Sequence, residues 1–171
     1  MKEIDKITIR LEKLFNDLGM PELYACADTF FSYGEDDDDM PTVFYSILDE
    51  DMELEAVCDR LYAEFYFDYT GKYLPVSNYT FDILHEIGHH KTVKNFSKKE
   101  INSYRKECTH ILERNISLEE QQRLYMYLPV EAEATKEACR LVQKNIRLLK
   151  QFERDIKKLF ENLQKTLDNE N

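Results

Sequence analysis

The sequence predicts a mostly helical α+β fold, with a small sheet of two to four strands and a long C-terminal helix. Three observations point there. Glycine and proline are scarce, four of each in 171 residues, so few positions break regular structure. Apolar residues recur at steps of three and four over long stretches. Shorter apolar and aromatic runs between them have the length and turn signals of strands. The chain reads as a single domain over 1–171, with a core at about 40–140 and a C-terminal helix over 141–171. The sheet is expected to pack beside the helix that carries His85 and His89.

The elements follow in order. Ile4, Ile7, Leu11, Leu14, Phe15 and Leu18 have helical spacing, and Gly19-Met20-Pro21 ends that helix. Leu23 to Tyr33 is apolar but of ambiguous period. Gly34 to Asp39 is an acidic run that reads as a solvated loop. Residues 42–48 suit a short strand and 50–61 a helix. The aromatic segment Leu61 to Tyr69 suits a strand, and Thr70-Gly71 a turn. Lys72 to Val76 then suits a second strand, held at a sheet edge by Pro75. Such an edge is a natural place for an extended peptide substrate. A helix is expected from Asn78 or Thr80. Ser97-Lys98-Lys99-Glu100 and Ser117-Leu118-Glu119-Glu120 fit capping boxes that open helices to about Glu113 and Tyr127. Pro129 suits the first turn of a last helix that runs to near Leu167. Its Leu149, Phe152, Ile156, Leu159 and Leu163 fit either a face packed back on the domain or a short coiled-coil seam. Fewer than three clean heptads favour the former.

Composition narrows the function. The formal net charge is −11, with basic and acidic residues interleaved and no basic patch, which argues against direct nucleic-acid binding. The start is charged and has no secretory apolar core, and no run is long enough to span a membrane. Cys26, Cys58, Cys108 and Cys139 are scattered and form no CxxC pair. They read as reduced thiols of a cytoplasmic protein.

The segment His85-Glu86-Ile87-Gly88-His89 carries the chemistry. On a helix, residues four apart stand one above the other. Two imidazoles there can converge on one zinc ion, with bonds of about 2.0–2.1 Å. Glu86 lies beside them, placed to take a proton from water activated by the ion. Ile83, Leu84 and Ile87 bury other parts of the helix, and Gly88 permits a neighbouring element to approach closely. A catalytic zinc needs a third protein ligand and an open position. Glu131 and Glu133 are the candidates. They lie about 200° apart on the helix that begins at Pro129, so only one can face the ion. Ala134 and Ala138 keep the Glu131 face small, which selects Glu131. Glu133 is then a solvated charge or an acceptor for a ligand imidazole.

Leu84-His85-Glu86-Ile87-Gly88-His89, with Leu128-Pro129-x-Glu131-x-x-Ala134-Thr135 downstream, resembles the ImmA/IrrE family of gluzincin-type metallopeptidases, which are common on phages and integrative elements. The resemblance covers roughly residues 60–140. It implies that His85, His89 and Glu131 hold zinc and that Glu86 is the general base and acid. It also implies a protein substrate, such as a transcriptional repressor or regulator. Two positions depart from the pattern. Thr135 stands where Asn or Asp is usual, with a shorter reach toward a ligand histidine, and Glu137-Ala138 stands where Phe-Ala is common.

A peptidase also benefits from a donor to the oxyanion. Tyr125 and Tyr127 are the candidates, with Tyr104 and His110 behind them; packing in the core is the competing role for each. His90 points about 100° away from His89 and reads as a surface or supporting residue. The expected function is zinc-dependent hydrolysis of a peptide bond in a protein. The alternative is a zinc-containing module that binds a partner without cutting it.

Overall fold

A computed structural model of the chain describes residues 2–29, 31–36, 39–47 and 52–170. The expectations at Asp37 and Asp38, and at residues 48–51 where a strand was to end and a helix to begin, lie outside that set. The described chain is mostly helical, with a three-stranded sheet and a long C-terminal helix: α1 (Glu3–Asp17), β1 (Tyr24–Asp28), β2 (Ser32–Glu35), β3 (Pro41–Ser46), α2 (Met52–Thr70), α3 (Asn78–Thr92), α4 (Lys98–Leu112), α5 (Leu118–Met126) and α6 (Pro129–Glu170). Among the described residues no helix is long and apolar enough to cross a membrane.

The chain gathers into two compact units, one of Met1–Leu48 with Lys144–Asn171 and one of Asp49–Gln143. In the first, α1 buries Ile7, Leu11, Leu14 and Phe15 along one face, as their spacing requires. Gly19 takes φ +83° just beyond the helix, a left-handed conformation that suits glycine. The sheet order is β1-β3-β2, with β1 parallel and β2 antiparallel to the central β3. Val43 and Tyr45 of β3 are buried, and the Tyr45 hydroxyl meets Thr8 Oγ1 of α1 at 2.7 Å. The C-terminal part of α6 buries Leu149, Phe152 and Ile156. It is held to α1 by Arg10, which pairs with Asp155 at 3.1 Å and lies over the Phe152 ring. These residues therefore pack within their own unit, as expected over a coiled-coil seam. Asn145 alone leaves helical geometry inside α6 (φ −122°, ψ 20°).

The second unit contains the five helical segments around His85. Here the expectation for 61–76 is overturned. Leu61 to Tyr69 is the C-terminal half of α2, and Lys72 to Val76 is not a strand. The aromatic run contains no β-branched residue, so little opposed a helix. Leu61, Phe65 and Tyr66 form its buried face, at helical rather than alternating spacing. Gly71, at φ +69°, ends the helix as expected of the Thr70-Gly71 turn. The strands lie instead at 24–46, in the other unit, so the edge strand proposed to bind substrate at 61–76 does not exist. Arg60–Glu119 at 2.8 Å and Arg123–Glu64 at 2.9 Å tie α2 to α5. Ser97 and Glu100 form the expected capping box on α4, and Ser117 caps α5.

Candidate metal centre

Helix α3 opens at Ser77, whose hydroxyl accepts from the Thr80 backbone N–H. Its buried face includes Phe81, Leu84, His85, Ile87 and Gly88, so both histidines are carried on a wall fixed by packing. Helix α6 opens at Pro129, which puts Glu131 in its first turn. The two helices meet at backbone distance. A Cβ built on Gly88 would lie 2.8 Å from the Ala134 carbonyl carbon and 2.9 Å from its Cα, and closer still to the carbonyl oxygen. Only glycine admits this approach, and Ala134 and Ala138, both fully buried, keep the facing stripe small. Lys91 of α3 forms an ion pair with Glu137 of α6.

That contact brings three donor atoms together. His85 Nε2 is 3.0 Å from Glu131 Oε2 and 3.2 Å from His89 Nε2, and His89 Nε2 is 3.2 Å from the same carboxylate oxygen. The Glu131 side chain is 2% exposed. The two imidazole rings stand nearly perpendicular, with centroids 4.7 Å apart. Among the described residues these are the three that could hold a metal ion together. Four donors placed tetrahedrally at zinc distances are about 3.3–3.4 Å apart, so the observed triangle needs an outward shift of a few tenths of an ångström to fit.

The tautomer of His85 supports the same fit. Thr135 Oγ1 donates its one proton to the Glu131 carbonyl oxygen at 2.9 Å. At its 3.1 Å contact with His85 Nδ1 it must therefore accept. With a proton on Nδ1, the Nε2 atom faces Glu131 Oε2 and meets it through a shared proton or a cation. A lone pair and a carboxylate oxygen at 3.0 Å repel unless a cation or proton lies between them. The threonine thus reaches the imidazole despite its short side chain.

No protein-family model, curated protein or solved structure matches the chain. The centre is read from its own geometry.

Its electrostatics are those of a charge cluster in a dry setting. Burial alone would raise the Glu131 pKa, but hydrogen bonds and charge from His85 and His89 outweigh it and hold the group well below the usual carboxylate range. Burial works against a charged His89, yet the Glu131 and Glu86 carboxylates prevail and raise its pKa. Glu86 is buried beside the cluster and close enough for its charge to act on His89.

The other candidates separate clearly. Glu133 points away and pairs with Lys136 at 2.7 Å, so it is a solvated charge. Tyr127 is 54% exposed, with its ring 5.9 Å from that of Phe65, and is not among the groups around Glu131. Tyr125 does reach the cluster, as does Tyr104: the Tyr104 hydroxyl donates to Glu131 Oε1 and lies 3.1 Å from the Tyr125 hydroxyl. His110 is exposed on α4 and His90 is half-buried. Sequence reasoning missed Tyr62, whose ring centroid is 5.6 Å from that of His85 and 4.9 Å from that of Phe81. Assigning its segment to a strand concealed it. In a helix, Tyr62 shares the face of Phe65 and Tyr66, three and four residues on.

Proposed function

We propose that the chain is a zinc-dependent metallopeptidase that cuts a peptide bond in a protein substrate. One observation carries this reading: two imidazole nitrogens and one carboxylate oxygen converge within 3.2 Å of one another on two helices locked at backbone distance, with a second buried acid, Glu86, adjacent. His85, His89 and Glu131 are the ligands. A zinc ion held there lowers the pKa of water and polarises a carbonyl oxygen.

The rest of the reaction belongs to this chain's side chains. Glu86, next to His85 on α3 and outside the ligand triangle, is the base. Its carboxylate takes a proton as water attacks the carbonyl carbon and delivers it to the leaving amine. Thr135 keeps His85 Nε2 facing the ligand triangle. His85 and Glu131 are themselves buried, which keeps bulk water from weakening the electrostatics.

The pattern of ligands also supports the likeness to ImmA/IrrE peptidases, and with it a transcriptional regulator encoded on a mobile element as the substrate class. A cytoplasmic setting agrees with four cysteines of which none is in a disulfide.

Metal analysis of the purified chain should find about one zinc per chain, lost in His85→Ala and in Glu131→Ala. Glu86→Gln should retain the zinc and lose peptide cleavage. A Glu86→Gln variant that cuts as fast as wild type overturns the assigned base. One that keeps the biological effect without cutting favours a zinc-containing binding module instead.

A further inference from the structure

The two tyrosines of α4 and α5 have no role in the chemistry above, yet they converge on the outer oxygen of Glu131. The Tyr104 hydroxyl donates its proton to Glu131 Oε1. The Tyr125 hydroxyl lies 3.1 Å from that of Tyr104 and also reaches Glu131, so both phenols converge on one carboxylate.

A carboxylate has two oxygens and can bind an ion through one or both. Glu131 Oε2 faces the two imidazoles, while Oε1 is drawn toward α4. We propose that Tyr104 and Tyr125 are positioning residues that restrict Glu131 to one-oxygen coordination and set how tightly the centre holds its metal. This rests on the reading of His85, His89 and Glu131 as metal ligands. It also gives α4 and α5 a function: each contributes one hydroxyl near Glu131, the buried acid of α6 that meets both histidines.

Replacing tyrosine by phenylalanine keeps the rings, whose centroids are 6.5 Å apart, and removes only the hydroxyls. The test uses the full chain and two readouts that need no substrate: zinc affinity by competition with a chromophoric chelator, and the visible spectrum of the cobalt(II)-loaded protein. Tyr104→Phe should weaken zinc binding about 10- to 100-fold and change the intensity and position of the cobalt bands. Tyr125→Phe should act in the same direction and less strongly. The double variant should weaken binding at least as much as Tyr104→Phe, because both hydroxyls serve the same carboxylate. If Tyr104→Phe does not fold, Tyr125→Phe decides through the same two readouts. Wild-type affinity and an unchanged cobalt spectrum in both single variants overturn the proposal and leave the metal reading intact. A wild-type chain that takes up no zinc overturns the metal reading itself.

Discussion

Gly88→Ala tests how closely α3 and α6, which carry the proposed metal ligands, must approach. Within a helix the change should help, since alanine is favoured over glycine by about 1 kcal/mol. Here the added methyl would lie 2.8 and 2.9 Å from backbone atoms of Ala134, against the 3.4 Å or more of ordinary contact. The obstacle is backbone, so no side chain can rotate away, and the helices must separate by at least half an ångström. Overpacking typically costs about 1–3 kcal/mol, and a backbone obstacle puts this site at the upper end. After the propensity gain the net loss is about 2 kcal/mol. For a chain of this size that lowers Tm by about 4–8 °C. Zinc affinity should fall at least tenfold in parallel, because His89 follows Gly88 directly and Glu131 lies one turn before Ala134. The assay is thermal melting of the metal-free protein together with chelator competition. Gly34→Ala is the control: its Cβ would meet Phe44 at 3.6 Å, an ordinary contact. A Gly88→Ala variant at or above wild-type Tm with unchanged zinc affinity would refute the close-approach reasoning.

Two further outcomes are expected. Thr135→Val, similar in shape but without the hydroxyl, should weaken zinc binding about tenfold, while Thr135→Ser retains most of it; equal affinity in the valine variant counts against control of the His85 tautomer. Burial would raise the Glu137 pKa, but Lys91 and Arg140 outweigh it and bring it below the ordinary 4.5. Its stabilisation is therefore complete above the unfolded-state value and is lost as pH falls through the folded one. Glu137→Gln should be less stable than wild type in urea at pH 7, with the gap narrowing as pH falls below 4.5; a gap that stays the same size throughout the acid range rules out that carboxylate as its source.

The centre was legible in the sequence because its geometry is local. Residues 85 and 89 must share a helix face, and Glu131 rather than Glu133 had to face them because Ala134 and Ala138 share its side of α6. The Gly88 approach followed from the same reasoning. The partners of Glu131 were less legible. Tyr104, Tyr125 and Tyr127 all lie on or beside helices near the ligand, and their order of importance depends on how α4 and α5 pack, which spacing does not encode. Residues 61–69 were misassigned because a short aromatic run fits a strand or a helix almost equally well. The region of Leu23 to Tyr33 stayed ambiguous because β1 and β2 are only five and four residues long.

The separation of the ligands along the chain has a consequence of its own. His85 and Glu131 are 46 residues apart, and α4 and α5 lie between them. An ion bridging the two is a reversible crosslink that closes this loop, and its hold on the folded chain grows by about 1.4 kcal/mol for each tenfold excess of free ion over its Kd. If the site holds zinc as proposed, the ion would therefore hold the folded chain as well as serve its chemistry, and chelation should lower Tm.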